Sequence, residues 1–397
     1  MGTVLLQIIF WGSGLALVYT YWLYPLLAAH KARGKQLRTL QWRENDTWPH
    51  VSILMAVHNE EIVIRDKLES LVAQKYPNPI HVYIGSDNSS DATNTIVDEY
   101  TQQYPHFHFV PFTQRQGKPG VINQLAVMAT QRVPAGKEHI FIITDASVML
   151  SPLVTQSLVK HFREPNMAIV DAHMVHTEMQ PEDISHSEST YISWEGQLKY
   201  NESVAWKRMV GPFGGCYALR SDYFAPVPDN FLVDDFYITM QAFRKGGLAI
   251  NEPTARCYEP VGHEIKEEFR RKARISAGNL QNMLTFTDLW WPPTQMPQFA
   301  IFSHKIVRWL GPIWLILLLL SSGLLGEQGF YHFSFSGLLA LYLGVPLLDV
   351  VLQQLGVHIS LLRSIRYFLT MNLALFAGYF RYFKGIKTNV WQPPKRN

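Results

Sequence analysis

Cysteine is nearly absent: Cys216 and Cys257 are the two in 397 residues, and neither has a CxxC neighbour. That argues against a disulfide framework and a structural zinc site, and it fits a reducing compartment. No G-x-G-x-x-G follows the first strand-like run and no G-x-x-x-x-G-K-[ST] occurs. Dinucleotide binding and P-loop hydrolysis lose their usual signatures. Runs of like charge, low-complexity tracts and internal repeats are missing too. The net charge of +3 is too small to imply a nucleic-acid partner. A mean hydropathy of -0.03 is too polar for a polytopic transporter, but the average hides a split, because the ends are apolar and the middle is charged.

Charge is missing altogether from Val4 to Leu27. A helix of that length crosses a hydrocarbon core of ~30 Å. A signal peptide wants a positive start and a short apolar core, so the run reads as an uncleaved anchor. His30, Lys31, Arg33, Lys35 and Arg38 follow at once, and the positive-inside bias places what comes next in the cytoplasm. Trp309–Leu325 and Phe335–Leu352 are further apolar stretches. Asp349, near the end of the second, belongs at an interface or inside a helix bundle, since a carboxylate facing lipid is costly. The link at 326–334 carries no Lys or Arg and reads as external, Arg363 and Arg366 as internal. Tyr367–Tyr379 is shorter. Crossing there would place Arg381, Lys384, Lys387, Lys395 and Arg396 outside, against the charge bias, so a re-entrant or an interfacial placement competes with it.

The middle reads as alternating strands and helices. VSILMAV (Val51–Val57), HVYIGS (His81–Ser86), HFHFVPF (His106–Phe112) and HIFIITD (His139–Asp145) are apolar runs rich in β-branched and aromatic residues, as buried parallel strands should be. Helical patterns fill Glu60–Gln74 and Asp91–Tyr104, with Ser90 or Asp91 as N-cap, and Pro119 opens a third helix. This is a doubly wound α/β pattern, in which ligands bind beyond the carboxyl ends of the strands. Polar clusters stand at those ends: His58-Asn59-Glu60, Asp87 to Asp91, Arg115 to Lys118, and Asp145-Ala146-Ser147. One such cluster is an ordinary helix cap; four in a row suit a ligand. Asp87 suits a base or ribose, Arg115 and Lys118 suit phosphates or base edges, and Asp145 suits ribose or a metal. His106 and His108 share a strand face with no acid or Cys to complete a metal site, which leaves them a structural role.

Further along, VDDFYIT places Asp234 beside Asp235, either as the acidic first turn of a helix or as a pair in which one carboxylate takes a proton. FGGCYALR sets Gly214-Gly215 before a strand, either a plain turn or a close backbone approach to a ligand. EEFRRKARISAGN gathers Arg270, Arg271, Lys272 and Arg274 on a helix that either faces solvent and headgroups or presents an Arg to a diphosphate.

Taken in order, these motifs resemble glycosyltransferase family 2, which includes the hyaluronan, chitin and cellulose synthases. VSILMAVHNEE looks like its opening strand with Asn59 and Glu60, and SDNSSDAT like its Asp-Asp-Gly-Ser-x-Asp segment with Ser86 for the first Asp. RQGKPGVIN looks like its Gly-Lys…Asn segment, TDAS like Asp-x-Asp ending in Ser147, GGCYALR like its acceptor-side glycines, and VDDFYIT like the segment that carries the base. Where the processive synthases have Gln-x-x-Arg-Trp, this chain has Arg271-Lys272-Ala273-Arg274-Ile275. FSHKIVRWLGP and TNVWQPPKR also resemble segments of membrane-bound bacterial members, in which the tail is cytoplasmic.

The resemblance implies a GT-A (Rossmann-like) α/β domain over residues 48–285, between an anchor at 1–30 and an interfacial segment at 286–308. A transmembrane or re-entrant region at 309–384 and a basic tail at 385–397 follow. It implies an inverting transfer from a nucleotide sugar, UDP-linked, to a lipid or glycan acceptor, with Asp235 as base and Asp234 beside it. Asn59, Glu60, Asp87, Arg115, Lys118, Asp145, Arg271 and Arg274 would hold the donor. Gly214, Gly215, Trp194 and Glu195 would face the acceptor. Asp145 and Ser147 would hold Mg²⁺ or Mn²⁺, less firmly than two carboxylates. Ile275 in place of Trp implies addition of one or a few sugars rather than a polymer. The expected setting is an integral protein of a bacterial inner (plasma) membrane, its catalytic domain cytoplasmic, in contact with membrane lipids and open to homo-oligomerisation.

Overall fold

The computed structural model describes the chain except Met1, residues 178–184 and 261–263, Gln328, Lys387 and residues 391–397. It divides into two compact units. One comprises Lys31–Glu178, Ile192–Val261 and Ile386–Asn397; the other comprises Met1–His30, Met179–Tyr191 and Gly262–Gly385.

The first unit is built on an eight-stranded sheet. Its strands are β1 (His50–Val57), β2 (Ile80–Asp87), β3 (Phe107–Phe112), β4 (His139–Thr144), β5 (Met149–Leu150), β6 (Met167–Thr177), β7 (Cys216–Arg220) and β8 (Leu248–Pro260). The order across the sheet is β3-β2-β1-β4-β7-β6-β8-β5. β1 pairs in parallel with β2 and β4, and β2 with β3. β7 enters antiparallel between β4 and β6. The four expected strands form where the apolar runs predict them. Their side chains are buried almost throughout β1 and β4, as helices on both faces of a parallel sheet require.

The helices of this unit follow the periodicity. α2 (Ile64–Val72), α3 (Thr93–Gln103) and α4 (Gly117–Arg132) connect the first four strands. Asp91 caps α3 from just outside the helix, its Oδ1 accepting the Thr93 N–H at 3.0 Å, one of the two residues expected to do so. Past β4 come α5 (Val154–Val159), α6 (Ser185–Trp206), which passes from one unit into the other, and α7 (Asp234–Arg244).

The second unit is helical. It holds most of the long apolar helix Gly2–Ala32 (α1), then α8 (Ile265–Thr285), α9 (Gln298–Trp309), α10 (Gly311–Leu324), α11 (Gly329–Gln354) and α12 (Ser360–Phe383). α1 and α11 are long and apolar enough to cross a membrane, and α9 with α10 forms a third candidate bent by 58°. The bend falls at Gly311-Pro312, where proline cannot donate to the preceding turn. Phe10, Trp11, Phe330 and Tyr331 pack together, Trp11 stacked on Phe330. Asp349 is buried against the Arg366 guanidinium at 2.9 Å, the bundle-interior alternative.

Two features add to the reading of the sequence. Tyr367–Tyr379 is the middle of one unbroken helix of 24 residues. That helix packs on α8, with Ser276 Oγ donating to the Leu375 carbonyl at 2.7 Å. Gly378 permits the approach, since a Cβ there would lie 2.5 Å from that of Ser276. The second feature concerns the domain boundary. α8 groups with the apolar helices rather than with the sheet, although the sequence places it inside 48–285. Of the basic tail, 388–390 group with the sheet, while Lys387 and residues 391–397 lie outside the described residues.

Candidate active site

The polar ends of β1, β2 and β4 meet at one edge of the sheet. Asp87, the last residue of β2, is fully buried. Its Oδ1 accepts the Gln116 N–H at 2.6 Å, and its Oδ2 accepts the Gly117 N–H at 3.1 Å and Arg115 Nε at 2.9 Å. Its main work in this structure is therefore to hold the 115–117 loop, rather than to present an open carboxylate. Arg115 also donates to His58 Nε2 at 2.6 Å, while His58 Nδ1 donates to the Asp87 carbonyl at 2.9 Å. Burial, and then the Arg115 charge, push the His58 pKa down, so the neutral ring serves as a strut.

Asn59 takes a left-handed backbone with φ of 51°. It clasps the next loop: its N–H donates to Ser89 Oγ at 3.1 Å and its Oδ1 accepts the Ser90 N–H at 2.8 Å. Glu60 is buried, its N–H on Thr93 Oγ1 at 2.8 Å.

The centre of the site is a lysine among three aspartates. Lys118 Nζ lies 2.6 Å from Asp145 Oδ1 and 3.8 Å from Asp234 Oδ2. Burial works against its charge, but Asp145, Asp234 and Asp235 outweigh burial and raise its pKa. Asp145 follows β4 and keeps about 39% of its side chain exposed. Asp234 and Asp235 open α7, where the helix dipole favours carboxylates. The acidic first turn expected of that pair is thus present. Asp234 Oδ2 is buried with no hydrogen-bond partner among the described residues. Asp235 Oδ1 accepts the Phe236 N–H at 2.7 Å. Burial, then the charge of Asp234, push the Asp235 carboxyl up to about 6.

Gly214 abuts this carboxylate. It has φ of 80°, and a Cβ there would stand 2.6 Å from Asp235 Oδ2. The carboxylate thus packs directly on the glycine backbone, a close approach that only glycine allows. Gly215 packs under it against Met174 and Val148. Its carbonyl accepts the Asp145 N–H and Thr144 Oγ1, both at 3.0 Å.

Other expected residues lie on α6 and α8. Glu195 lies buried on α6 and Trp194 is half-buried there. Arg271 and Arg274 belong to the helical unit. Arg271 is held there by Glu188 at 2.6 Å and Glu268 at 2.8 Å. Burial, opposed by Arg271, pushes the Glu188 carboxyl up to about 7. Among the described residues no three His, Cys, Asp or Glu side chains form a metal cage. What remains suits a hard cation held by one or two carboxylates and completed by ligand phosphates.

Sequence reasoning missed two supports, Lys67 and Asp171, and held a third, Asn123, only as the Asn of RQGKPGVIN. Lys67 is fully buried on α2, its Nζ donating to Thr144 Oγ1 at 2.8 Å and to the Val148 carbonyl, the two ends of the Asp145–Ser147 turn. Burial pulls its pKa down to about 8. Asp171, fully buried in β6, accepts the Phe213 N–H at 3.0 Å and Lys199 Nζ at 3.3 Å, steadying the approach to Gly214. Asn123 exchanges two hydrogen bonds with the Val227 backbone, at 2.8 and 3.0 Å. Charges set within apolar patterns, Lys67 between Ile64 and Leu71 and Asp171 inside MAIVDAHMV, were the available signals.

Residues 139–382, more than half the chain, match the family described as Glycosyl transferase family group 2. Residues 52–225 match Glycosyl transferase family 2. A Synechocystis protein named beta-monoglucosyldiacylglycerol synthase is 33% identical over 329 residues, covering 76% of this chain and 64% of that protein. The probable glycosyltransferase YdaM of Bacillus subtilis is 39% identical over 88 residues, 21% of each. The matches thus span between about a fifth and just under two thirds of these curated relatives. Among solved structures, a mannosyltransferase of Pyrobaculum calidifontis, PcManGT, determined with GDP-Man and Mn²⁺, has a TM-score of 0.66. It shares 18% identity and covers 96% of this chain and 97% of its own. The fold is the GT-A fold of glycosyltransferases.

Proposed function

The chain belongs to Glycosyl transferase family group 2, and from that premise we propose that it moves one sugar from a nucleotide donor to a lipid acceptor at the cytoplasmic face of a membrane. The observation that carries this reading is one cluster: a lysine among three aspartates, one of them, Asp235, raised to about 6 and packed against a bare glycine.

The 58–60, 87–91 and 115–118 loops, locked to one another through Asp87, His58 and Asn59, form the floor on which a nucleoside diphosphate rests. Lys118 and Arg115 face its phosphates as cations. Asp235 accepts the proton of the acceptor hydroxyl through Oδ2 as that oxygen attacks the anomeric carbon. The bond to the diphosphate breaks on the opposite side, which inverts the anomeric configuration. Asp234 keeps Asp235 basic enough for this role, because two adjacent carboxylates resist a second negative charge. Asp145, with Ser147 beside it, would hold Mg²⁺ or Mn²⁺, which when bound neutralises charge on the departing diphosphate. The likeness to a mannosyltransferase solved with GDP-Man and Mn²⁺ supports the fold, and the relative named for a glucosyldiacylglycerol supports a lipid acceptor.

A base must be unprotonated, so kcat/KM is expected to rise with pH through an apparent pKa of about 6 and then level. The limb belongs to the Asp234–Asp235 pair, and a flat profile from pH 5 to 8 would remove the pair from the rate.

Single-sugar addition rests on Ile275, which offers no flat face for a sugar ring to stack on. Of the two tryptophans nearby in sequence, Trp290 is committed, its indole N–H on the Met283 carbonyl at 2.8 Å and its ring stacked on Phe302, while Trp291 is exposed. Membranes containing the protein, given labelled donor and extracted with organic solvent, are expected to yield a lipid heavier by one sugar. A water-soluble high-molecular-weight ladder would overturn the reading.

A further inference from the structure

The Asp-x-Asp segment of this chain ends in Ser147, a neutral hydroxyl where a second carboxylate is expected. We propose that Glu259, on the last strand of the sheet, supplies the missing carboxylate and is the second acidic arm of the metal–diphosphate site.

The strand pairing brings it there. β5 runs antiparallel to β8, with Met149 opposite Tyr258 and Leu150 opposite Cys257. Continuing that register by one residue carries Glu259 alongside Val148 and the end of the Asp145–Ser147 turn. Ser147 Oγ donates to Glu259 Oε1 at 3.1 Å. The hydroxyl thus reaches a carboxylate from another part of the sheet.

A second observation comes from beneath the turn. Lys67 is fully buried and holds the turn at both ends, through Thr144 Oγ1 and the Val148 carbonyl. Asp145 and Glu259 are among the acids whose charge acts on this ammonium. A buried lysine is costly unless polar partners meet it, and here they are Thr144, at the end of β4, and the Val148 carbonyl, opposite Glu259 in the β5–β8 register. Asp234 Oδ2, buried and without a hydrogen-bond partner among the described residues, lies across Lys118 from Asp145. A carboxylate from the turn after β4, a carboxylate from β8, the Ser147 hydroxyl bonded to it and the donor's phosphates would make the oxygen set that Mg²⁺ and Mn²⁺ take in nucleotide sites.

The inference rests on the donor-site reading above, and one experiment separates the two. Mn²⁺ is titrated into the full-length protein in detergent with UDP or GDP present, and free Mn²⁺ is read by electron paramagnetic resonance. Wild type is expected to take up Mn²⁺ with one of the nucleotides. Glu259→Gln is expected to weaken that uptake by about tenfold or more, while Ser147→Ala weakens it far less. The double variant Ser147→Asp/Glu259→Gln is expected to recover most of the loss. Recovery also excludes unfolding as the cause, since a new aspartate at 147 does not repair a collapsed strand. Wild type that takes up no Mn²⁺ with either nucleotide defeats the donor-site reading and this inference together. Uptake unchanged by Glu259→Gln defeats the inference alone. So does a Ser147→Ala loss equal to that of Glu259→Gln, which would make Glu259 only the hydrogen-bond partner of the serine. A double variant no better than Glu259→Gln counts against it as well.

Discussion

Replacing Asp235 by asparagine is expected to lower kcat by about 10²–10⁴-fold, the usual contribution of a positioned general base, while nucleotide affinity stays nearly that of the wild type. Asparagine keeps the shape of the side chain, and its carbonyl oxygen can still accept the Phe236 N–H that holds Oδ1. What it loses is a lone pair able to take a proton at Oδ2, the oxygen that packs on the bare Gly214. The loss should fall on kcat and kcat/KM alike, because the interaction forms in the transition state. The acidic limb near pH 6 should vanish with it, since burial and Asp234 act on a group no longer present. Steady-state kinetics across pH 5–8, with nucleotide binding measured in parallel, checks all three. A variant that keeps more than about half the activity would remove Asp235 from the mechanism, given the size of the effect expected.

Asp145→Asn is expected to cost about 10²–10³-fold in turnover, as the loss of one preorganised electrostatic group does, and to weaken donor binding as well. The two variants should therefore differ in kind. Asp145 stands 2.6 Å from Lys118 and is exposed enough to meet a ligand. On the proposed reading, removing its charge would loosen the lysine that meets the phosphates and take a carboxylate from the cation's oxygen set. Excess chelator should reduce wild-type activity by a similar factor and should add little to the loss already present in Asp145→Asn. Full wild-type activity in chelator would show that the reaction runs without a divalent ion.

Much of this was legible in the sequence because the parallel strands of an α/β domain are buried on both faces. Val51–Val57 and His139–Thr144 are near-continuous apolar runs, and a polar residue following such a run marks the strand end where ligands bind. Asp145 and Lys118 were found in that way, Asp234 and Asp235 as an adjacent acidic pair, and the structure brings them to one place. What local pattern cannot carry is the direction of a side chain after the fold closes. Asp87 turns inward to hold the 115–117 loop. Arg271 satisfies Glu188 and Glu268 within the helical unit. Lys67 and Asp171 look like interruptions of apolar patterns until their buried partners are seen. Glu259 lies more than a hundred residues from Ser147 in sequence, and only the antiparallel β5–β8 register makes them neighbours. The placement of α8 failed for a similar reason. Its charged stretch reads as part of the soluble domain, yet its packing is on α12, through Ser276 and Gly378.

The most direct measurement of the central claim is nucleotide release by the purified full-length protein. It would be offered a panel of UDP- and GDP-linked sugars together with a membrane lipid extract, and the wild type would be compared with Asp235→Asn. The account predicts that one donor yields nucleoside diphosphate in step with a lipid product heavier by one sugar, that release depends on the extract, and that Asp235→Asn abolishes both. Release by neither protein with any donor, or equal release by both, would contradict it.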